Sequence, residues 1–168
     1  MASHHLKRPL MPKLIKNGEI IDNNYNWLQD AEQAATPDSI VAAQKWLSEK
    51  ESIGKVAGIW LEAGDGVEFL QDVDLSQFDV IGVNFPAFTD GRGFSYARLL
   101  RERLNYQGEI RALGNFIPDQ LGYLLRVGFN SFQFNEEVDL EKALDLHKPF
   151  SIAYQGDVSD PRPLFLRR

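Results

Sequence analysis

"DVIGVNFPAFTDGRGFSYARLLRER", residues 79–103, contains in one stretch the alternation on which the chain is built. Asp79–Phe85 is a short apolar run with β-branched side chains, the pattern of a strand covered on both faces. Tyr96, Leu99, Leu100 and Leu104 then recur at the three- and four-residue spacing of a helix that buries one stripe. The loop between them, Pro86–Gly93, carries two glycines around an arginine. A strand passing through a short loop into an amphipathic helix is the repeating unit of α/β proteins.

The same unit recurs on either side. "VAGIWLE" (56–62), "GEIRALGN" (108–115), "SFQFN" (131–135) and "FSIAYQ" (150–155) are further β-like runs. Helical patterns lie between the later ones, on Leu121, Leu124 and Leu125 and on Leu140, Ala143 and Leu144. Pro118 and Asp119 suit a helix start, Gly128 a helix end and Asp139 an N-cap. A spacing of about 20 to 25 residues per unit implies parallel strands joined by right-handed crossovers. Upstream, "KLIKNGEIIDNNYNWL" (13–28) predicts a hairpin turning at Asn17-Gly18. The spacing of Ile40, Val41, Ala43, Gln44 and Leu47 predicts a helix over 38–50.

The expected fold is therefore α/β, with four to five mostly parallel strands and crossover helices, preceded by a small N-terminal β-hairpin and a helix. The sheet is either an open doubly wound sheet or a partial barrel. With 168 residues the chain is expected to form a single domain over 1–168, residues 1–12 being mobile. A complete eight-unit barrel takes about 250 residues.

Composition removes several functions. The chain has no cysteine, which excludes thiolate-held iron–sulfur clusters, Cys-based zinc sites and a thiol nucleophile. No cofactor motif is identified. A net charge of -6 argues against a nucleic-acid partner. No apolar run matches a secretory signal or a membrane span, so a cytoplasmic protein without a membrane partner is expected. Trp27, Trp46 and Trp60 are read as core or interface anchors. The acidic loop Glu62–Asp74 lacks the residue order of a calcium loop, and His147 has no second histidine placed beside it, so no metal is assigned.

Charge is unevenly distributed. Residues 17–89 carry a net of -10, whereas 90–126 carry six arginines against four acids. Guanidinium groups suit bidentate contacts with carboxylates or other oxyanions. In parallel sheets ligands bind outside the carboxyl ends of the strands, which is where the 86–93 loop falls. Thr89, Asp90, Gly91, Arg92, Gly93 and Ser95, with Asn115 and Gln120 from the next strand-to-helix loop, form the candidate anion- or ligand-binding set. Asp90 and Asp119 are the candidate acid and base. Arg98, Arg101 and Arg103 form a candidate partner-binding surface, although Arg98 and Glu102 are also spaced to pair with each other.

"FTDGRGFSYARLLRER", continuing through "YQGEIRALGNFIPDQLGYLLRVGFNSF" to "FSIAYQ", resembles a bacterial family of unassigned activity known as domain of unknown function 934. The resemblance extends over most of the chain, from "LIKNGEIIDNNYNWL" onward. Members are commonly encoded beside assimilatory sulfite reductase and carry the label of oxidoreductase in sulfite reduction. Phe88 to Gly93 and Ser95 match the signature loop, Arg98 to Arg103 the helix after it, and Asp119, Gln120, Arg126, Gly128 and Phe129 a second block. This chain has Val127 where the family often has cysteine, and Asn115 and Pro118 where it often has Asp and Arg.

The resemblance implies an accessory protein of assimilatory sulfite or sulfate reduction, non-catalytic, whose partner is sulfite reductase or its electron-supply proteins. The alternative is a small enzyme acting on an anionic metabolite at the strand C-terminal edge. Exposed strand edges in a half-barrel favour a homodimer.

Overall fold

The computed structural model describes residues 13–30, 32–135 and 138–153. The expected mobility of 1–12 lies outside them. Strands β1 (Leu14–Lys16), β2 (Glu19–Ile21), β3 (Asn26–Trp27), β4 (Ser39–Ala42), β5 (Gly58–Leu61), β6 (Val80–Phe85), β7 (Glu109–Gly114) and β8 (Ser131–Phe134) form one sheet. Helices α1 (Ala43–Ile53), α2 (Arg92–Glu102), α3 (Leu121–Val127) and α4 (Leu140–Ala153) accompany it. The described residues form a mixed α/β half-barrel with eight strands, more than the four to five expected.

Strand order is β2-β1-β8-β7-β6-β5-β4-β3, with β3 to β8 parallel and β1 antiparallel to both β8 and β2. The parallel strands follow chain order without reversal. A doubly wound sheet requires a reversal, so the partial-barrel alternative is the one found. Right-handed crossovers that all step in one direction place every helix on one face. That face holds the main core: Trp46 of α1, Tyr96, Ala97 and Leu100 of α2, and Leu121 and Leu124 of α3 pack over Ile59, Ile81, Val83, Ile110, Ala112 and Phe132.

The curl of the sheet follows from chain connectivity. β2 and β3 are the two edges, yet only residues 22–25 join them. Eight strands laid flat put their edges about 34 Å apart, at about 4.8 Å per step. Four connecting residues, fully extended, reach only about 17 Å. The sheet therefore bends until its edges approach, and residues 22–25 run as a strap across the open side.

Beneath the strap the inner face is layered by strand register. Trp27, Ile40, Gly58, Val80 and Glu109 lie in one row, Ala42, Trp60, Gly82, Arg111 and Ser131 in the next, and Asn84, Leu113 and Gln133 toward the C-terminal ends. Trp27 and Trp60 meet edge to face at 5.8 Å, and Trp60 Nε1 donates to the Leu28 carbonyl at 3.0 Å. Beside these apolar residues sits a buried ionic cluster. Arg111, 1 % exposed, donates from Nε to Glu109 Oε2 at 2.8 Å and from Nη1 to Asn23 Oδ1 and Gln133 Oε1, both at 2.9 Å. Ser131 Oγ donates to Glu109 Oε2 at 2.6 Å, and Lys16 Nζ lies 3.2 Å from Oε1. The ring of Tyr25, on the strap, covers the guanidinium at 5.2 Å. Hydrogen bonds and charge thus join the hairpin, two central strands and the strap.

The N-terminal hairpin forms as expected, with Asn17 (φ 53°) and Gly18 (φ 82°) both left-handed, as a two-residue primed turn requires. It is not a separate element, since β1 pairs with β8 and extends the main sheet. Two expected elements differ. The helix predicted over 38–50 begins only at Ala43, because Ser39–Ala42 forms β4; a short apolar run buried on both faces has no periodicity that separates strand from helix. The strand predicted over 150–155 is helical through Ala153, so α4 also contains His147, and Tyr154 and Gln155 lie outside the described residues.

Replacing Glu109 by Gln leaves Arg111 and Lys16 without their shared buried anion. The expected loss is about 3 to 5 kcal/mol of unfolding free energy, measured as a lowered urea midpoint.

Candidate functional site

The loops that follow β5 to β8 form a rim at the C-terminal ends of the parallel strands, and the sequence-derived candidates gather on it. They contact one another differently from the expectation of an open anion site. Asp90 Oδ1 accepts from the backbone N–H of Arg92 at 3.1 Å and from its Nε at 3.0 Å, while Oδ2 accepts from Nη2 at 2.6 Å. One carboxylate therefore takes a bidentate guanidinium contact and caps the first turn of α2. The Arg92 side chain holds the Asp90 carboxyl at about 2, well below its ordinary 3.8, with the backbone N–H adding to the effect. The pairing in turn raises Arg92 above its usual value. An external anion at this helix start meets a site already filled by the protein's own anion.

Of the two glycines, Gly93 serves packing. Gly91 has φ -92° and Gly93 is helical, so neither uses the left-handed backbone region that glycine allows. A Cβ on Gly93 falls 2.8 Å from Val83 Cγ1 and 2.9 Å from Phe85 Cε1, so Gly93 sets how closely α2 approaches the sheet. At Gly91 the nearest atom is 3.5 Å away, which is ordinary contact. Ser95 Oγ donates back to the Arg92 carbonyl at 3.2 Å. Thr89 is exposed on the loop.

Asn115 and Gln120 act as clamps between two loops. Asn115 Nδ2 donates to the Pro86 carbonyl at 2.8 Å, and its Oδ1 accepts from Asn135 Nδ2 at 3.0 Å. Gln120 Nε2 donates to the Phe88 carbonyl at 2.9 Å, while its Oε1 accepts from the Ile117 N–H at 3.0 Å. The β7–α3 loop thereby fixes the β6–α2 loop on both sides of Ala87. Phe88, held at this apex, is 52 % exposed, and Tyr123 on α3 is 51 % exposed with its ring edge-to-face on Phe94 at 5.0 Å. A groove of about 390 Å³ beside Phe88 is lined by Phe116, Ile117, Pro118, Phe134 and Val138.

Asp119 is exposed at the start of the 3-10 turn Pro118–Gln120 and makes no hydrogen bond or ion pair among the described residues. Among the described residues no contact joins it to Asp90. Arg98 pairs with Glu102 at 3.1 Å on the surface of α2. Arg101 is half-buried: its Nε and Nη2 donate to the Gly128 carbonyl and its Nη1 to those of Tyr106 and Gly108. Arg103 is exposed.

Two rim residues escape a reading by motif. Glu62 follows β5 in register with Asn84, since Trp60 pairs with Gly82 two residues earlier. Asn84 Nδ2 donates to Glu62 Oε1 at 2.7 Å. The signal was the two-residue alternation along β5 and β6, which places both on the inner face where barrel strands present functional groups. Among the described residues no group of three or more His, Cys, Asp or Glu is arranged to hold a metal, and no helix is long and apolar enough to cross a membrane.

Gly93→Ala is expected to cost about 1 to 3 kcal/mol by overpacking, whereas Gly91→Ala stays within about 0.5 kcal/mol, both read by chemical denaturation. Because the Asp90 carboxyl is depressed in the folded protein, its stabilising contribution is present above 3.8 and disappears as pH falls through about 2. A carboxyl ¹³C titration is expected to place the Asp90 midpoint near 2, returning toward 3.8 in Arg92→Gln.

No curated protein and no solved structure matches the chain. A family model does, over residues 58–165, from β5 through the rim loops to beyond α4; the hairpin, the strap, β3, β4 and α1 precede the matched segment. On that match the chain belongs to the family of bacterial proteins of unknown function designated DUF934.

Proposed function

We propose that the chain is a non-catalytic accessory protein whose C-terminal rim docks a protein partner, with Phe88 as anchor. The observation that carries this reading is the clamp on the 86–93 loop. Asp90, Arg92, Asn115 and Gln120, expected to bind a ligand or perform chemistry, are instead bonded to one another and to backbone carbonyls, and the two amides hold an aromatic ring outward. A rigid exposed aromatic beside an apolar groove loses little side-chain entropy on binding, which is the property of an interface hot spot. The resemblance to a family encoded beside sulfite reductase directs the search for the partner to that enzyme or its electron-supply proteins, in assimilatory sulfite reduction.

The alternative, an enzyme acting on an anionic metabolite at the same edge, is favoured by the Glu62–Asn84 pair, a carboxylate oriented by an amide at the end of an inner-facing row. It requires Arg92 to exchange Asp90 for substrate.

Binding of the purified protein to sulfite reductase at near-physiological salt separates the two. Phe88→Ser is expected to weaken association at least tenfold, about 1.4 kcal/mol or more, with an unchanged melting temperature. Absence of wild-type association, or equal affinity in the variant, overturns the docking reading.

A further inference from the structure

The opposite end of the half-barrel holds a second feature, independent of the rim. A cavity of about 550 Å³ opens at the N-terminal ends of the parallel strands, between the β1–β2 turn and the segments entering β7 and β8. We propose that it binds a small molecule bearing an oxyanion, a carboxylate or phosphate group, through the Arg101 guanidinium.

Arg101 is half-buried, and no carboxylate pairs with it among the described residues. Its Nε and Nη2 reach the Gly128 carbonyl at 3.1 and 3.0 Å, and Nη1 reaches the Tyr106 and Gly108 carbonyls at 3.0 and 2.7 Å. A guanidinium has five N–H groups, so one on Nη2 has no acceptor among the described residues. All of its partners are neutral. The negative end of α3, which Gly128 terminates, offsets about half a charge at most. Burial lowers the Arg101 pKa, as expected for a cation without a full counter-charge.

The other lining groups suit an anion. Asn17 Oδ1 accepts from Asn130 Nδ2 at 3.2 Å, leaving the Asn17 amide N–H groups without an acceptor among the described residues. Gln107 Nε2 reaches the Asn105 carbonyl only at 3.5 Å. Leu125 and Phe129 supply an apolar wall, and among the described residues no acidic side chain lines the cavity. One cation, two amide donors and an apolar wall in a space of this size describe a site for an anionic head with a small body. The 86–93 loop, with its tethered carboxylate, lacks that property.

The test is a titration of the full chain with inorganic phosphate, and separately with malonate, at ionic strength held constant with sodium chloride. It is followed by the NMR signals of Arg101 Nε–H and of the Asn17 and Gln107 side-chain amides. Saturable shifts with a millimolar midpoint are expected, and the stronger of the two titrants identifies the preferred head group. Gln107→Glu introduces a carboxylate at the mouth without removing a strong hydrogen bond. It is expected to weaken the anion response at least tenfold while the melting temperature holds or rises. Arg101→Lys is expected to lose the response too, but it also uncaps α3, so Gln107→Glu decides. Shifts that grow linearly and match those from chloride, or a Gln107→Glu response equal to wild type, overturn the proposal.

Discussion

Four residues joining the two edges of an eight-stranded sheet constrain everything else in the molecule. The strap is too short for a flat sheet, so closure of the curl is a condition of connectivity, and the inner face becomes a covered interior. What fills that interior is then decisive. Trp60, Leu113 and Val80 supply apolar volume, while Asn23 and Tyr25 on the strap reach Arg111, whose charge is met by Glu109. Such a cluster contributes little net stability over a hydrophobic replacement but penalises any arrangement in which one member is missing. Its value here is positional. It makes one placement of the strap, and hence one curvature, far better than its neighbours.

Because Glu109 begins β7 and Ser131 begins β8, the ionic cluster occupies the N-terminal half of the interior. In barrel-like sheets that half carries stability, and the C-terminal half carries function. The polar groups at the C-terminal ends, Glu62, Asn84, Asn115 and Asn135, are wetter and bonded in pairs. The exposed strand edges that suggested a homodimer are only three and two residues long, so they offer a second copy few backbone groups to pair with.

The elements legible in the sequence were those with local signatures. Asn17-Gly18 declared its turn through backbone conformation, and β5 to β8 declared themselves through compact apolar runs between helical patterns. β4 was hidden because Ile40, Val41, Ala42 and Ala43 satisfy either period, and only burial by both neighbouring strands decides for the strand. The run at 150–153 failed in the opposite direction. At the rim, the sequence reading turned outward side chains that the fold commits to internal bonds, Asp90, Asn115 and Gln120 among them. Whether Asn115 binds a ligand or the Pro86 carbonyl, and whether Arg101 faces a partner or the end of α3, depends on tertiary contacts separated by up to 29 residues.

Arg92 and Arg101 lie on the same helix and show why a motif cannot establish an anion site. Arg92 has a carboxylate two residues away, tethered by the shortest of linkers. A competing ligand must exceed the effective concentration of that tethered group, on the order of millimolar or more even for a flexible connection. The Asp90 contact is better than flexible, since the backbone N–H of Arg92 fixes the same carboxylate. Free metabolite anions therefore compete poorly at the glycine-flanked arginine, however suggestive its sequence. Nine residues later, Arg101 has only carbonyls for company. Its position in the last turn of α2 offers no motif, but a free anion approaching it meets no tethered rival, and the physical case for a ligand moves from the start of the helix to its end.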